Sequence, residues 1–360
     1  MAAEQELEKK KRLYASLGLL VPLPKDGVTI AGLLTDESGR TAVACRRNRF
    51  VGGGLGSIWM GDWAKGYIKE CSISECSGSG ITVGVGSDPE VSDNNITGCA
   101  EHGIHVRHGG KGRFQANTIS DNCSAGVCVD KSATSDLRAN SIFENDNQGV
   151  LLRKGAKARV TGNTMRENGG AGLEVEGEGE SQLRENDVYG NKGRAGLIVH
   201  GAKEVVVAGN EFHNNKDAGV LLLDGANPLL AKNRIRLNGS NGVRCEAGAN
   251  GRLERNTIEE NGAEGIFAEI GCTPTVGENF VQHNEGDNNV AHVMAPDVVT
   301  SDAHAQLAQA AADAVGDAAT ATDSRDPPSL QKSAVEEPSQ IEKLKAKRRE
   351  ARLAREATTA

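Results

Sequence analysis

Three histidines spaced by three, His102, His105 and His108, stand with Cys128, which follows His105 at an interval that recurs throughout the chain. Imidazole nitrogens and a thiolate suit zinc or copper. Alternation along a strand, however, turns His102 away from His105, so a surface histidine group with no bound metal is expected. A second set is acidic. Glu174, Glu176, Glu178 and Glu180 form the densest acidic run, and Asp121, Glu144 and Glu167 recur at that same interval. Either set offers oxygens to a cation. A third set alternates in sign with the same spacing, Arg107, Asp130, Arg153 and Glu176, continuing through His200, Leu223, Glu246 and Glu269. Opposite charges stacked at sheet spacing would stabilise by a few tenths of a kcal/mol each. We read Asp121, Asp130, Glu144, Arg153, Glu167, Glu174 and Glu176 as an exposed charged patch, with no catalytic residue assigned. Trp59, Trp63 and Tyr67 gather most of the larger aromatics near one end, where they would cover an open edge in preference to stacking on a sugar, with Trp59 and Trp63 also able to dock a partner.

The interval that links these residues belongs to a repeat. Asn94, Asn117, Asn140, Asn163, Asn186, Asn210, Asn233, Asn256 and Asn279 follow one another at 23 residues, with a single step of 24. A period that strict implies one unit stacked many times. Counting back reaches Cys71 and Asn48, and the residue two places after each start is always apolar, from Phe50 and Ile73 to Ile258 and Val281. Two further apolar columns, Ile68 to Leu253 and Ile81 to Ile266, give three inward positions per unit and therefore three short strands per coil. Helical periodicity is missing from the unit. A glycine column, Gly103, Gly126, Gly149, Gly172 and onward, marks a corner where a side chain is unwelcome or positive φ is needed.

A second polar column, Asn122, Asn145, Asn168, Asn191, Asn215, Asn238 and Asn261, is expected to form a structural ladder, because a carboxamide both donates and accepts. Cys76 and Cys99 occupy its N-terminal end, within bridging reach but expected to be reduced. The fold class that follows is an all-β solenoid, a single-stranded parallel β-helix of ten to eleven coils. The boundaries are a helical leader over 1–27, the β-helix over 28–292, an alanine-rich helix over 293–322, a linker over 323–340, and a basic helical tail over 341–360.

With Asn-x-Ile-x-x-Asn and Gly-Val/Ile-x-Val repeated from Asn48 to about Val290, the chain resembles the right-handed parallel β-helix repeat. That repeat is shared by pectin-lyase-like polysaccharide enzymes, NosD-type periplasmic proteins, and the β-helical domains of certain F-box and Shc-binding spindle proteins. The resemblance implies a right-handed coil and says little about activity. Neither acidic set comes with an Arg or His where the family pattern would assign catalysis. The Tyr-Gly-x-Asp-Pro-His type of motif found in related alginate epimerases is absent.

A net charge of -8 argues against nucleic acid as partner of the β-helix. No run reaches the length of a membrane span, and the N-terminus lacks the features of a signal peptide. The expected function is a non-enzymatic protein-binding scaffold in the cytoplasm, with cytoskeletal association, no cofactor, and protein partners in a larger assembly. Trp59 and Trp63 at one end and Arg348, Arg349 and Arg352 in the tail would be its docking points. The alternative is a carbohydrate-active lyase, hydrolase or epimerase, which would need a groove of converging acids and a basic residue near Asp121 to Glu180, and a glycan partner.

Overall fold

The computed structural model describes residues 33–35, 41–52, 56–60 and 63–286. The helical leader, the alanine-rich segment, the linker and the basic tail with Arg348, Arg349 and Arg352 lie outside the described residues. So do the helical extensions of the expected fold class.

Three parallel sheets run the length of the stack. In one coil the chain passes through Lys111–Gln115 of sheet 1, Thr118–Ser120 of sheet 2 and Val127–Val129 of sheet 3, then returns to sheet 1 at Thr134–Arg138. The sheets hold 12, 11 and 10 strands, so about ten complete coils are present. Pairing follows the sequence period: Phe114 faces Leu137, Ile119 faces Ile142, and Ile104 faces Val127. Only the first pair, Leu33–Thr35 with Thr41–Arg46, is antiparallel among the described strands.

The three apolar columns fill the interior with layers of like residues. Phe114, Ile119, Ile104 and Val106 are fully buried, as are their counterparts Leu137, Ile142 and Val127 one coil on. Branched aliphatics suit this arrangement because they pack well on a pleated surface.

Both corners that flank sheet 2 are built alike. A residue in the left-handed region ends the preceding strand, as with Ala116 (φ 52) and Asp121 (φ 55), and a buried asparagine follows. Two ladders result, one in each asparagine column. Asn117 Nδ2 and backbone N–H both donate to Asn140 Oδ1 at 3.0 Å, and Asn117 Nδ2 also donates to the Val91 carbonyl at 2.8 Å. Asn145, Asn168 and Asn191 repeat the pattern in the second column. At the N-terminal end Cys99 takes the asparagine's place and gives its backbone N–H to Asn122 Oδ1 at 3.1 Å. Its sulfur lies 2.9 Å from Cys76 Sγ as a contact between two thiols, not a disulfide.

Crowding, and not positive φ, explains the glycine column. A Cβ at Gly126 would stand 2.5 Å from Ile142 Cγ2, 2.8 Å from the Gly149 carbonyl and 2.9 Å from Asn145 Nδ2. The ladder amide thus occupies the volume that any side chain there would need.

The one lengthened step of the repeat has a definite place. Asn168 and Asn191 keep the usual spacing, yet Leu173 pairs with Leu197, one residue further on than the repeat would give. The extra residue therefore sits in the corner between Asn191 and Gly196, and both ladders and all three sheets continue past it.

Candidate functional site

Outward positions on sheet 3 alternate with the core-facing ones, and several of them, Thr82, Cys128, Leu151 and Ile198, are buried as well. Their central line runs Trp59, Thr82, His105, Cys128, Leu151, Glu174 and Ile198, each paired with the next. At or just past the strand ends comes the column Arg107, Asp130, Arg153 and Glu176, the last of these closing the strand Leu173–Glu176. Immediately beyond it, at the corner leading into sheet 1, stands His108, Lys131 and Lys154, again one coil apart. A shallow groove of about 360 Å³ lies over these two columns, lined by His108, Asp130, Lys131, Arg153, Lys154 and Glu176.

The groove's charges are partly tied together. Arg153 Nη1 reaches Asp130 Oδ1 at 3.1 Å, and the other carboxylate oxygen of Asp130 meets His105 Nε2 at 2.9 Å. The alternating-sign ladder is therefore made at Asp130–Arg153. His108 Nδ1 sits 2.9 Å from the Lys131 carbonyl. A carbonyl only accepts, so Nδ1 is the donor, and in the neutral imidazole Nε2 is the nitrogen that bears the lone pair. Next to the groove, Glu174 is bonded to His200 Nε2 at 3.1 Å and to Gln148 Nε2 at 2.6 Å. Asp130 and Glu174 thus each have a basic neighbour, Arg153 and His105 for the first and His200 for the second.

The expected patch separates into two places. Asp130, Arg153, Glu174 and Glu176 lie on the outer side of sheet 3, near its exit into sheet 1. Asp121, Glu144 and Glu167 are the left-handed corner residues at its entrance, with φ of 55, 53 and 55 degrees, and Glu167 pairs with Arg166 at 3.0 Å. Their role is to turn the chain. The ladder residues Asn122, Asn145, Asn168, Asn191, Asn215, Asn238 and Asn261 are buried and structural. Trp59 and Trp63 are exposed by 37% and 64%; the Arg107 guanidinium lies 5.6 Å from the Trp59 ring centre, and Trp63 packs on the corner at Gly86. Sequence reasoning missed the His108, Lys131, Lys154 column, although its spacing was the available signal.

The histidine geometry also corrects the expectation. His102 and His105 do not point apart: their ring centres are 5.0 Å from one another, at 64°. His102 precedes the strand Ile104–Val106, and the corner at Gly103 interrupts the alternation on which the expectation relied. His105 pairs with Cys128 across adjacent strands, as column counting gave. Burial, aided by the charges of His105 and Arg153, pushes the His102 pKa down to about 4. Burial raises the Cys128 thiol to about 12, against the opposing charge of Arg153. His102 Nδ1 is buried without a hydrogen-bond partner.

Residues 31–188 and 149–303 match the family described as the right handed beta helix region. The chain belongs to this family. Its coil is accordingly right-handed, as parallel crossovers favour. No curated protein matches the chain. Among solved structures, the fold is similar to the D317A mutant of the periplasmic alginate epimerase AlgG, with 13% identity over 63% of this chain and 61% of that one, at a TM-score of 0.55. It is also similar to the A-module of the Azotobacter vinelandii mannuronan C-5 epimerase AlgE6, with 17% identity over 67% of this chain and 78% of that one, at a TM-score of 0.50. The right-handed beta helix thus spans less than two thirds of the AlgG chain. Identities this low establish likeness of fold. The expectation of a non-enzymatic scaffold is corrected on this finding: the structures similar in fold are an alginate epimerase and a mannuronan C-5 epimerase.

Proposed function

We propose that the right-handed beta helix binds an acidic polysaccharide along the corner groove of sheets 3 and 1, and transfers a proton at the carbon next to a sugar carboxylate. The observation that carries the proposal is the stacked column His108, Lys131 and Lys154 beside the Asp130–Arg153 pair. Coils repeat at about 4.8 Å, close to the length of one pyranose in an extended chain, so successive corner side chains can meet successive sugars.

The chemistry follows from the side chains. A carbon acid next to a carboxylate ionises readily only when the developing negative charge is stabilised. Lys131 and Lys154 supply fixed positive charge at the groove, while Arg153 is held by Asp130. His108 Nε2, the lone-pair nitrogen of the neutral tautomer that donates Nδ1–H to the Lys131 carbonyl, is the base that takes the proton. Delivery of a proton from water to the opposite face inverts the centre; expelling the neighbouring glycosidic oxygen, which leaves as a hydroxyl after taking a proton from water or from protonated His108, forms a C=C bond and cleaves the chain. Trp59, two coils away on the outer face of sheet 3, offers an exposed ring for sugar stacking.

The test is incubation of the purified full-length protein with alginate, polymannuronate and polygalacturonate. Unsaturated ends are read by ultraviolet absorbance and carbon configuration by NMR. Turnover that falls about 100-fold in His108→Ala, with binding retained, supports the reading. A wild-type protein that neither binds nor alters any polyuronate overturns it.

A further inference from the structure

The histidines and thiol on the outer side of sheet 3 are not used by the proton transfer, and they form a compact group of their own. One ring nitrogen from each of His102 and His105 and the Cys128 sulfur all lie within 4.8 Å of one another. Asp130 adjoins them, with one oxygen 2.9 Å from His105 Nε2 and the other 3.8 Å from Cys128 Sγ. We infer that His102, His105, Cys128 and Asp130 form a binding site for a single zinc ion.

Zinc takes four nitrogen, sulfur and oxygen ligands at about 2.0–2.3 Å in a tetrahedron. The ligand atoms of such a site are about 3.3–3.6 Å apart, so closing the present group asks for side-chain shifts of about 1 Å. The positions are well fixed by backbone. His105 and Cys128 are held in register by the parallel ladder, and Gly103 sets the corner that brings His102 to them. Two independent features point to a ligand. His102 is 9% exposed, yet its Nδ1 has no hydrogen-bond partner, which is costly for a buried polar atom unless something binds there. Cys128 is wholly buried on the outer side of its strand, packed with Ala125 and Leu151, so the thiol is shielded from oxidants while remaining beside both imidazoles.

The charges also balance. Two neutral imidazoles, one thiolate and one carboxylate give a site of charge -2, which one divalent zinc neutralises within a partly buried surface. On binding, the Cys128 S–H bond breaks, its proton leaves to solvent, and the sulfur pair forms the metal bond. Arg153 stays on Asp130 as an outer partner that orients the carboxylate. The other grouping of this kind among the described residues, Asp187, Glu211 and His213 on sheet 2, has no sulfur, and each member is half-buried. It lacks the unpartnered nitrogen.

The test uses the full-length protein, stripped with a chelator and kept under a non-thiol reductant, titrated with cobalt(II) as a coloured substitute for zinc. One equivalent should produce the thiolate-to-cobalt charge-transfer band, and added zinc should bleach it. Cys128→Ser should abolish the band, while His102→Ala and His105→Ala weaken binding by at least about tenfold. Zinc should raise the melting temperature of the wild type through mass action and leave that of Cys128→Ser unchanged. Absence of the band in the wild type overturns the inference. So does a band that survives Cys128→Ser, since it would place the ion at other thiols such as Cys76 and Cys99. If the serine variant fails to fold, His102→Ala decides the matter by the same titration. None of these readouts depends on glycan turnover.

Discussion

Replacing Asn168 by leucine removes one rung from the second ladder without changing side-chain size much. In the wild type, Asn168 Oδ1 accepts from the Asn145 backbone N–H at 3.2 Å and from Asn145 Nδ2 at 3.0 Å. Its Nδ2 donates to the Ile142 carbonyl at 3.2 Å and to Asn191 Oδ1 at 3.0 Å. After substitution, Asn145 Nδ2 keeps its bonds to the Ile119 and Phe143 carbonyls, and Asn191 Oδ1 keeps the backbone N–H of residue 168. The Asn145 N–H loses its ladder acceptor, and the Ile142 carbonyl loses its side-chain donor. Orphaned buried groups cost about 1–3 kcal/mol each; at about 1–2 kcal/mol for each of these two, in the lower part of that range, the loss is about 2–4 kcal/mol. Burying the leucine methyls returns about 1 kcal/mol, leaving a net destabilisation of about 2 kcal/mol. For a body of this length the melting temperature should fall by about 4–8 °C. Stacked repeats can open locally, so hydrogen exchange at the Asn145 amide should accelerate before the global transition. Melting unchanged within about 1 °C, together with undiminished protection at that amide, would refute the reasoning about the ladder.

Gly126→Ala should destabilise by about 1–3 kcal/mol through overpacking, read by urea denaturation, because the new methyl would collide with Ile142, Gly149 and Asn145. The pH dependence should carry the mark of His102. Its unfolded pKa is near 6.5 and its folded value about 4, so only the unfolded chain gains a proton between them. Stability is therefore intact above about pH 6.5 and falls by roughly 3 kcal/mol on descending to about pH 4. In the presence of chelator, that slope should flatten in His102→Gln, as measured by denaturation at a series of pH values. Lys131→Glu with Lys154→Glu should weaken polyuronate binding at least about tenfold, a loss of about 1.4 kcal/mol or more, in isothermal titration. Neutral glycans should be unaffected.

The columns were legible because burial repeats where sequence repeats: Ile96, Ile119 and Ile142 face one interior, and each asparagine meets the next. The outer surface was harder. Period-two reasoning works inside Ile104–Val106 and stops at Gly103, so the approach of His102 to His105 was not recoverable from spacing alone. The corner column His108, Lys131, Lys154 carried the right interval, but its residue types differ from coil to coil, and a mixed polar column resembles any solvated edge. The chemistry of Asp130 depends on two partners from different coils, Arg153 and His105, and pairwise contacts between side chains have no signature in a single chain.

The extra residue between Asn191 and Gly196 shows which joint of the coil accepts length. In the coil that carries it, Arg194 reaches Glu246 at 2.9 Å, a partner that lies more than one coil further along. The register of the sheets on either side is undisturbed. This corner is therefore the natural insertion point of the scaffold: added segments there would project beside the outer side of sheet 3 and reshape what it recognises. Core and surface can then be altered separately, the first by keeping the spacing between ladder asparagines constant, the second by lengthening the path from one ladder to the next sheet. An engineered loop of a few residues after Asn145 should test that separation, with unchanged melting as the sign that the stack tolerates it.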